Sequence, residues 1–167
     1  MKNKLIYGIP ACLILIIFDQ FTKFLAVTHL KDLPEGIDII KNILKIQYLE
    51  NRGAAFGLLQ NKLLFFYVFS ILFIFVFIFL YLRIPSGKKL LPINVLLVFF
   101  LAGAIGNLID RIRLQYVIDF IYFSIINFPI FNVADIYVTC SCIAFLLLMI
   151  FYYKEEDLNN IKLFKRK

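Results

Sequence analysis

Charge is scarce in this sequence of 167 residues: Asp, Glu, Lys and Arg together make up 17%, against about 25% in an average soluble domain. That shortage excludes a water-soluble globule, because 62% of the residues are apolar and 17% are aromatic. The net charge of +7 sits on a chain too apolar for an ordinary basic, nucleic-acid-binding domain, and the same composition excludes disorder and a collagen-like fibre. The positive charge is expected to face lipid headgroups. Histidine is nearly missing. The single His29 cannot supply a His-rich zinc site, and a Ser-His-Asp or Cys-His enzyme would have to be built around it without a supporting neighbour. Cysteine is sparse too: Cys12, Cys140 and Cys142 all fall in apolar stretches, where they read as small core-packing residues. Cys140 and Cys142 are two apart and point to different faces of a helix, so neither a metal pair nor a disulfide is expected. Repeats and low-complexity linkers are absent, so residues 1–167 read as a single integral-membrane domain.

What the sequence does have is long uncharged runs. Leu63 to Leu82, Leu90 to Ile109 and Ile136 to Tyr153 are each bounded by charges, and each is long enough for a membrane-crossing helix, which needs about 20 apolar residues. Leu5 to Phe18 is shorter and resembles the apolar core of a secretory signal. No small-x-small cleavage site follows, and apolar character resumes after Lys23, so it reads as a retained first span containing charged groups. Four spans result, at about 5–28, 63–82, 90–109 and 135–153, with outer loops 29–62 and 110–134. The fold class expected is an all-α membrane protein with a small extracytoplasmic β element. Lys and Arg are densest at the N-terminus, in the Arg83 to Lys89 loop and after Lys154, which places both termini in the cytoplasm.

The outer loops are not simple spacers. Leu44-Lys45-Ile46-Gln47-Tyr48 alternates apolar and polar residues as a half-buried strand does, and Asn51-Arg52-Gly53 follows as a turn signal. Val117 to Phe123 is β-branched and aromatic with Asp119 in its middle. Both are expected to be extended pieces at the membrane surface.

With that topology, ionisable and amide groups gather at one depth. Asp19 lies about 15 residues past Lys4, roughly 20 Å across the core at 1.5 Å per residue. Asn107, Asp110 and Arg111 close the third span, Asp135 opens the fourth, and Asn51 and Asp119 stand in the outer loops. Carboxylates at such depth are expensive and mark functional sites. Each has a plainer reading beside the functional one. Asp19 and Lys23 form an i,i+4 pair in the favourable order. Asn132 can cap a helix with Asp135 at its third position. Asp110 can pair with the adjacent Arg111. Asp119, among Val117, Ile118, Phe120 and Ile121, has no evident local partner, so the functional reading is strongest there.

Two carboxylates in a half-dry cleft cannot both ionise and share a proton. One can take a proton from water while the other donates to a carbonyl oxygen, which is peptide hydrolysis without metal or covalent intermediate. The same groups, Asp19, Asp119 and Asp135, would serve a proton-coupled transporter as a relay, and the residues alone leave that alternative open.

Five motifs then stand in order: Asp19-Gln20-Phe21-Thr22-Lys23, Asn51-Arg52-Gly53-Ala54-Ala55-Phe56, Gly103-Ala104-Ile105-Gly106-Asn107-Leu108-Ile109-Asp110-Arg111, Val117-Ile118-Asp119-Phe120 and Phe131-Asn132-Val133-Ala134-Asp135. Together they resemble the lipoprotein signal peptidases, the type II or prolipoprotein signal peptidases. The pattern departs at Ala102, where the family usually has a second glycine, and at Ile136, where a small residue commonly follows the aspartate. The resemblance implies an aspartic endopeptidase of the bacterial cytoplasmic membrane, with its active site at the outer leaflet. It implies cleavage of diacylglyceryl-modified prolipoproteins before the lipidated cysteine, amid membrane phospholipid, and inhibition by the cyclic peptide globomycin. By motif position Asp119 and Asp135 are the catalytic dyad. Asp19, Lys23, Asn51, Gly53, Asn107, Asp110, Arg111, Asn132 and Ala134 take substrate-binding or supporting places. The resemblance also implies a small β-cradle with a mobile outer segment, no metal or cofactor, and no nucleic-acid partner; a monomer is expected. Asp135, at a helix N-terminus, is expected to be the more readily ionised member, by up to about 1 kcal/mol. Gly53, Gly103 and Gly106 permit close backbone approach, for a peptide cleft or for helix packing.

The topology is tested by cysteine-accessibility labelling at Lys88 and Asn61. Asn61 is expected to react from outside intact cells; labelling of Lys88 from that side would reverse the orientation.

Overall fold

A computed structural model describes residues 2–53 and 62–159. Ala54, Ala55 and Phe56 of the second motif and the labelling position Asn61 lie outside the described residues, as do Lys162, Lys165, Arg166 and Lys167. The elements run α1 Lys2–Leu30, β1 Ile37–Ile40, β2 Leu44–Asn51, α2 Leu63–Arg83, α3 Leu91–Leu114, β3 Val117–Phe123, a 3-10 turn Ser124–Ile126, α4 Val133–Phe151 and α5 Glu155–Asn159. Four of the helices, Lys4–Leu30, Leu63–Arg83, Leu91–Leu114 and Val133–Phe151, are long and apolar enough to cross a membrane. The chain is therefore a helical, multi-pass membrane protein with a small sheet, as its uncharged runs predict.

Each helix follows from its sequence. α2 carries no charge between Lys62 and Arg83 and exposes apolar side chains almost all round, the pattern of a helix whose solvent is lipid. One face is aromatic: Phe65, Phe69, Phe73 and Phe77 lie four residues apart, their rings 5.7, 4.7 and 5.1 Å from one to the next, and Phe77 stacks on Phe100 of α3 at 4.7 Å. α3 starts with Pro92 in its first turn, where a missing N–H is harmless. It stops at Gln115, whose left-handed backbone (φ 67°) lets its N–H reach Arg111 O at 3.0 Å. α3 packs against α1, α2 and α4 and is the most buried of the four. Because it runs to Leu114, Asp110 and Arg111 sit in its last turns rather than in a loop.

The sheet is antiparallel in the order β1-β2-β3. β2 and β3 are the two segments expected to be extended; β1 is added by a four-residue strand whose pattern the sequence did not show. Register sets Leu49 opposite Asp119 and Asn51 opposite Val117, with an irregularity between Ile46 and Leu49. The sheet packs on the last turns of α1, where Ala26, Leu30 and Ile118 are buried together against Ile46 and Tyr48. A second core, of Tyr81, Ile84, Leu90, Ile93, Leu97, Val98 and Tyr153, closes the other end of the helices.

Cysteine is one correction. Cys140 and Cys142 are exposed and only Cys12 is half-buried, so the pair on α4 is not core packing. The outward faces of α4 meet hydrocarbon, which accepts a thiol as readily as a protein interior does.

Close helix approach centres on α3. A Cβ at Gly103 would lie 2.6 Å from the Ala134 carbonyl oxygen of α4, and one at Gly106 would lie 2.5 Å from Asp19 Oδ2 of α1. Nothing stands within 4 Å of a Cβ at Gly87. Gly103→Ala is thus expected to destabilise the protein in detergent by about 1–3 kcal/mol, because backbone has to move. Gly87→Ala is expected to stay within about 0.5 kcal/mol of the parent. Thermal unfolding of both variants checks the difference.

Candidate active site

The segment that leads into α4 is held against β3. Phe131 accepts from the N–H groups of Phe120 at 3.0 Å and Ile121 at 2.8 Å, and donates to Ile121 O at 3.0 Å. These bonds set Asn132 beside Asp119 although the two are far apart on an extended chain. Asn132 has extended backbone and caps α4 as its sequence predicts. Its Oδ1 accepts from Asp135 N at 3.0 Å, and Asp135 Oδ2 accepts from Asn132 N at 3.2 Å, a reciprocal capping box. Since Asn132 Oδ1 is used by the cap, its Nδ2 points the other way and donates to Asp119 Oδ1 at 2.6 Å and Asn107 Oδ1 at 3.2 Å. One asparagine thereby touches both carboxylates.

Each carboxylate has a second amide. Asn51 Nδ2 donates to Asp119 Oδ2 at 2.8 Å, while its Oδ1 accepts from Gly53 N at 2.9 Å. Asn107 Nδ2 donates to Asp135 Oδ1 at 2.8 Å. The Asn107 carbonyl end faces Lys23 Nζ at 2.9 Å, so a cation fixes which way that amide is turned.

Lys23 is only 1% exposed. Its ammonium lies 3.0 Å from Asp19 Oδ2 and 2.9 Å from Asp110 Oδ2, and with Asn107 Oδ1 it has three acceptors for three N–H groups. Each oxygen of both carboxylates has at least one donor. Asp19 Oδ1 accepts from Ala134 N at 2.9 Å in the first turn of α4, adding negative charge where the helix dipole is positive. Asp110 Oδ2 also accepts from Ile118 N at 3.2 Å, and its Oδ1 from Gln20 Nε2 at 2.9 Å. The Asp110–Arg111 pairing allowed by the sequence does not form, because neighbours on a helix face different ways; Asp110 turns inward to Lys23. Arg111 instead donates to Asn107 O at 3.5 Å, and its guanidinium lies 4.8 Å from the Phe66 ring centroid.

All eleven sequence-derived residues are thus in or beside one network. Gln20, quoted in a motif but given no role, is a further member: its amide nitrogen donates to Asp110, Asp19 and Gly106 O. Its position one residue after Asp19 was the available signal. Tyr67, which donates to Arg111 O at 2.7 Å, gave none.

A cavity of about 500 Å³ opens onto the network, lined by Asp119, Asp135, Asn51 and Arg111 together with apolar residues that include Phe123, Phe128, Ile130 and Ile136. Lys23 is committed to Asp19 and Asp110, and Arg111 is a cation that lines the cavity together with Asp119 and Asp135. Burial first, and then the charge of Asp135, push the Asp119 carboxyl up to about 7, against the amides of Asn51 and Asn132, which favour its ionised form. Such a pair can hold one proton near neutral pH. Among the described residues no cluster of three His, Cys, Asp or Glu side chains is arranged to hold a metal ion.

A polytopic membrane protein with two buried carboxylates bridged by one asparagine beside a largely apolar cavity is the class defined by this geometry. The family model described as signal peptidase (SPase) II matches residues 11–151. The chain is 46% identical to the lipoprotein signal peptidase of Caldanaerobacter subterraneus subsp. tengcongensis over 138 residues, covering 81% of this chain and 90% of that protein. It is 39% identical to the lipoprotein signal peptidase of Streptococcus pyogenes serotype M1, over 96% of this chain and all of the relative. Two solved structures of bacterial membrane enzymes are 31% identical, with TM-scores of 0.78 and 0.76; they cover 96% and 87% of this chain and 94% of each of those chains. The chain belongs to the signal peptidase II family and is a membrane protease. That membership replaces the transporter alternative.

The ion cluster has more members than the sequence suggested, and this changes what a charge swap does. Reading Asp19 and Lys23 as an isolated pair, Asp19→Asn with Lys23→Met would restore stability. With Asp110 also on Lys23, the double variant still leaves a buried carboxylate unpaired. Lys23→Met is expected to cost about 3–5 kcal/mol, the double variant to recover only part, and addition of Asp110→Asn to recover more. Unfolding temperatures in detergent for the three variants check the order.

Proposed function

We propose that this protease removes the signal peptide from diacylglyceryl-modified prolipoproteins by cutting before the lipidated cysteine, with Asp119 and Asp135 as the catalytic dyad. The carrying observation is the Asn132 bridge, which bonds to both carboxylates in the lining of a largely apolar cavity. The names of the relatives support the substrate class. The density of Lys and Arg supports a site on the outer side of the bacterial cytoplasmic membrane, with both termini inside.

In the proposed reaction Asp119 enters with the shared proton, and Asp135 enters ionised, its charge stabilised by the first turn of α4. A water between them loses a proton to Asp135 as its oxygen attacks the scissile carbonyl carbon, and Asp119 gives its proton to the carbonyl oxygen. The resulting diol collapses: the C–N bond breaks, the leaving nitrogen takes the proton from Asp135, and one hydroxyl proton returns to Asp119. The dyad is thus restored to its starting protonation, the water is consumed in the new carboxylic acid and amine, and no cofactor is needed for the balance. Asn51, Asn107 and Asn132 hold the carboxylates in register. Arg111 is placed to bind substrate backbone carbonyls, and the aromatic wall suits the lipid-bearing residue. Globomycin-type cyclic peptides would occupy the same cavity.

Asp119→Asn and Asp135→Asn are each expected to abolish cleavage of a diacylglyceryl-modified lipobox peptide while the protein stays in the membrane, because neither amide exchanges the required proton. Substantial turnover by either variant rejects the dyad. For the parent enzyme, kcat/KM is expected to fall as pH rises through about 7, with a limiting slope of about tenfold per pH unit as the pair loses its proton. A flat profile from about pH 6 to about pH 9 would assign the proton elsewhere.

A further inference from the structure

A second cavity, of about 580 Å³, lies between α1 and α3 at the end of the helices remote from the carboxylates. Its size is that of an ordinary ligand site. Most of the lining is hydrocarbon, from residues such as Ala11, Leu15 and Val98, and Lys4, Lys88 and Asn94 are among its polar members. Two of these groups lack a full set of partners, and a third brings a cation. Lys4 Nζ donates to the backbone oxygens of Tyr81 and Ile84 where α2 ends and lies 4.0 Å from the Tyr81 ring centroid, with no carboxylate to neutralise it among the described residues. Lys88 is exposed at the rim and has no carboxylate partner among the described residues. Asn94 is 6% exposed; its amide nitrogen donates to Pro85 O at 3.2 Å, but its Oδ1 has no donor among the described residues. A buried carbonyl oxygen in that state is costly unless something supplies a hydrogen.

These features specify an occupant. The walls ask for a hydrocarbon chain, the two ammonium groups for an anion, and Asn94 for a hydroxyl or amine hydrogen. We propose that the cavity binds an anionic phospholipid with a hydroxyl-bearing headgroup, of which phosphatidylglycerol is the simplest: one acyl chain lies along Ala11, Leu15 and Val98, the phosphate meets Lys4 and Lys88, and a headgroup hydroxyl donates to Asn94 Oδ1. Basic pockets between membrane helices hold acidic lipid headgroups by this chemistry. A signal-peptide segment fits the charge less well, since the start of such a peptide is basic and would meet two lysines. An amine-bearing zwitterionic headgroup sets a cation against the same two groups.

The test uses the full chain, purified in detergent and stripped of lipid, with phosphatidylglycerol and phosphatidylcholine of identical acyl chains offered together and bound lipid counted by native mass spectrometry. Phosphatidylglycerol is expected to dominate the adducts. Lys88→Gln, at an exposed position where folding is not at stake, is expected to weaken its binding about fivefold. Asn94→Leu is expected to erase the preference for phosphatidylglycerol over phosphatidylethanol, which has the same charge and no hydroxyl. Equal retention of the two lipids, or unchanged binding by Lys88→Gln, overturns the proposal. So does displacement of the lipid by a synthetic signal peptide that photo-crosslinks from Ala11, which would give the cavity to substrate.

Discussion

An ammonium group taken out of water has to replace its hydration with acceptors for every N–H it carries, and in this protein that requirement falls on Lys23. The three acceptors come from its own helix and from two points on α3, Asp110 and Asn107. Each acceptor then constrains something further away. Asp19 is fixed where it also takes the Ala134 N–H, so α1 determines where α4 begins. Asp110 is fixed where it takes the Ile118 N–H, so the same cation determines where β3 leaves the helices. Asn107 is turned with its nitrogen toward Asp135. Removing Lys23 therefore does more than lose an ion pair: it releases the entry points of both segments that carry the candidate dyad.

Much of this was legible in the sequence, for particular reasons. The spans could be read because charge bounds them and because lipid tolerates so few alternatives to a closed helix. The start of α4 could be read because Asn132 and Asp135 stand three apart, the spacing at which side chain and backbone cap each other. Asp119 stood out for lack of a local partner, and its partners, Asn51 and Asn132, do come from distant parts of the chain.

What was not legible depends on direction and distance across the chain. Spacing alone paired Asp110 with Arg111, since adjacency in sequence says nothing about which of two helix faces points to a buried cation. The cysteines on α4 were placed inside because apolar character marks lipid-facing and core-facing positions alike. β1 is four residues long, too short for a pattern, and exists because β2 offers it an edge. The role of Phe131 as the backbone clamp on β3 is a matter of main-chain hydrogen bonds, which any residue type could make.

The capping box at the start of α4 has one more implication, for the life of the chain before it is finished. Asp135 takes its orientation from Asn132, which caps the fourth membrane helix to be synthesised, and from Asn107, which is oriented by a lysine on the first. No nascent form lacking α4 contains both carboxylates, and one whose first and third helices have not yet met has no means of aiming them. On the chemistry proposed here, a membrane full of half-inserted copies holds no stray proteolytic activity. Assembly of the bundle holds activity back until the helices have met, the kind of restraint that a pro-segment exerts in soluble proteases.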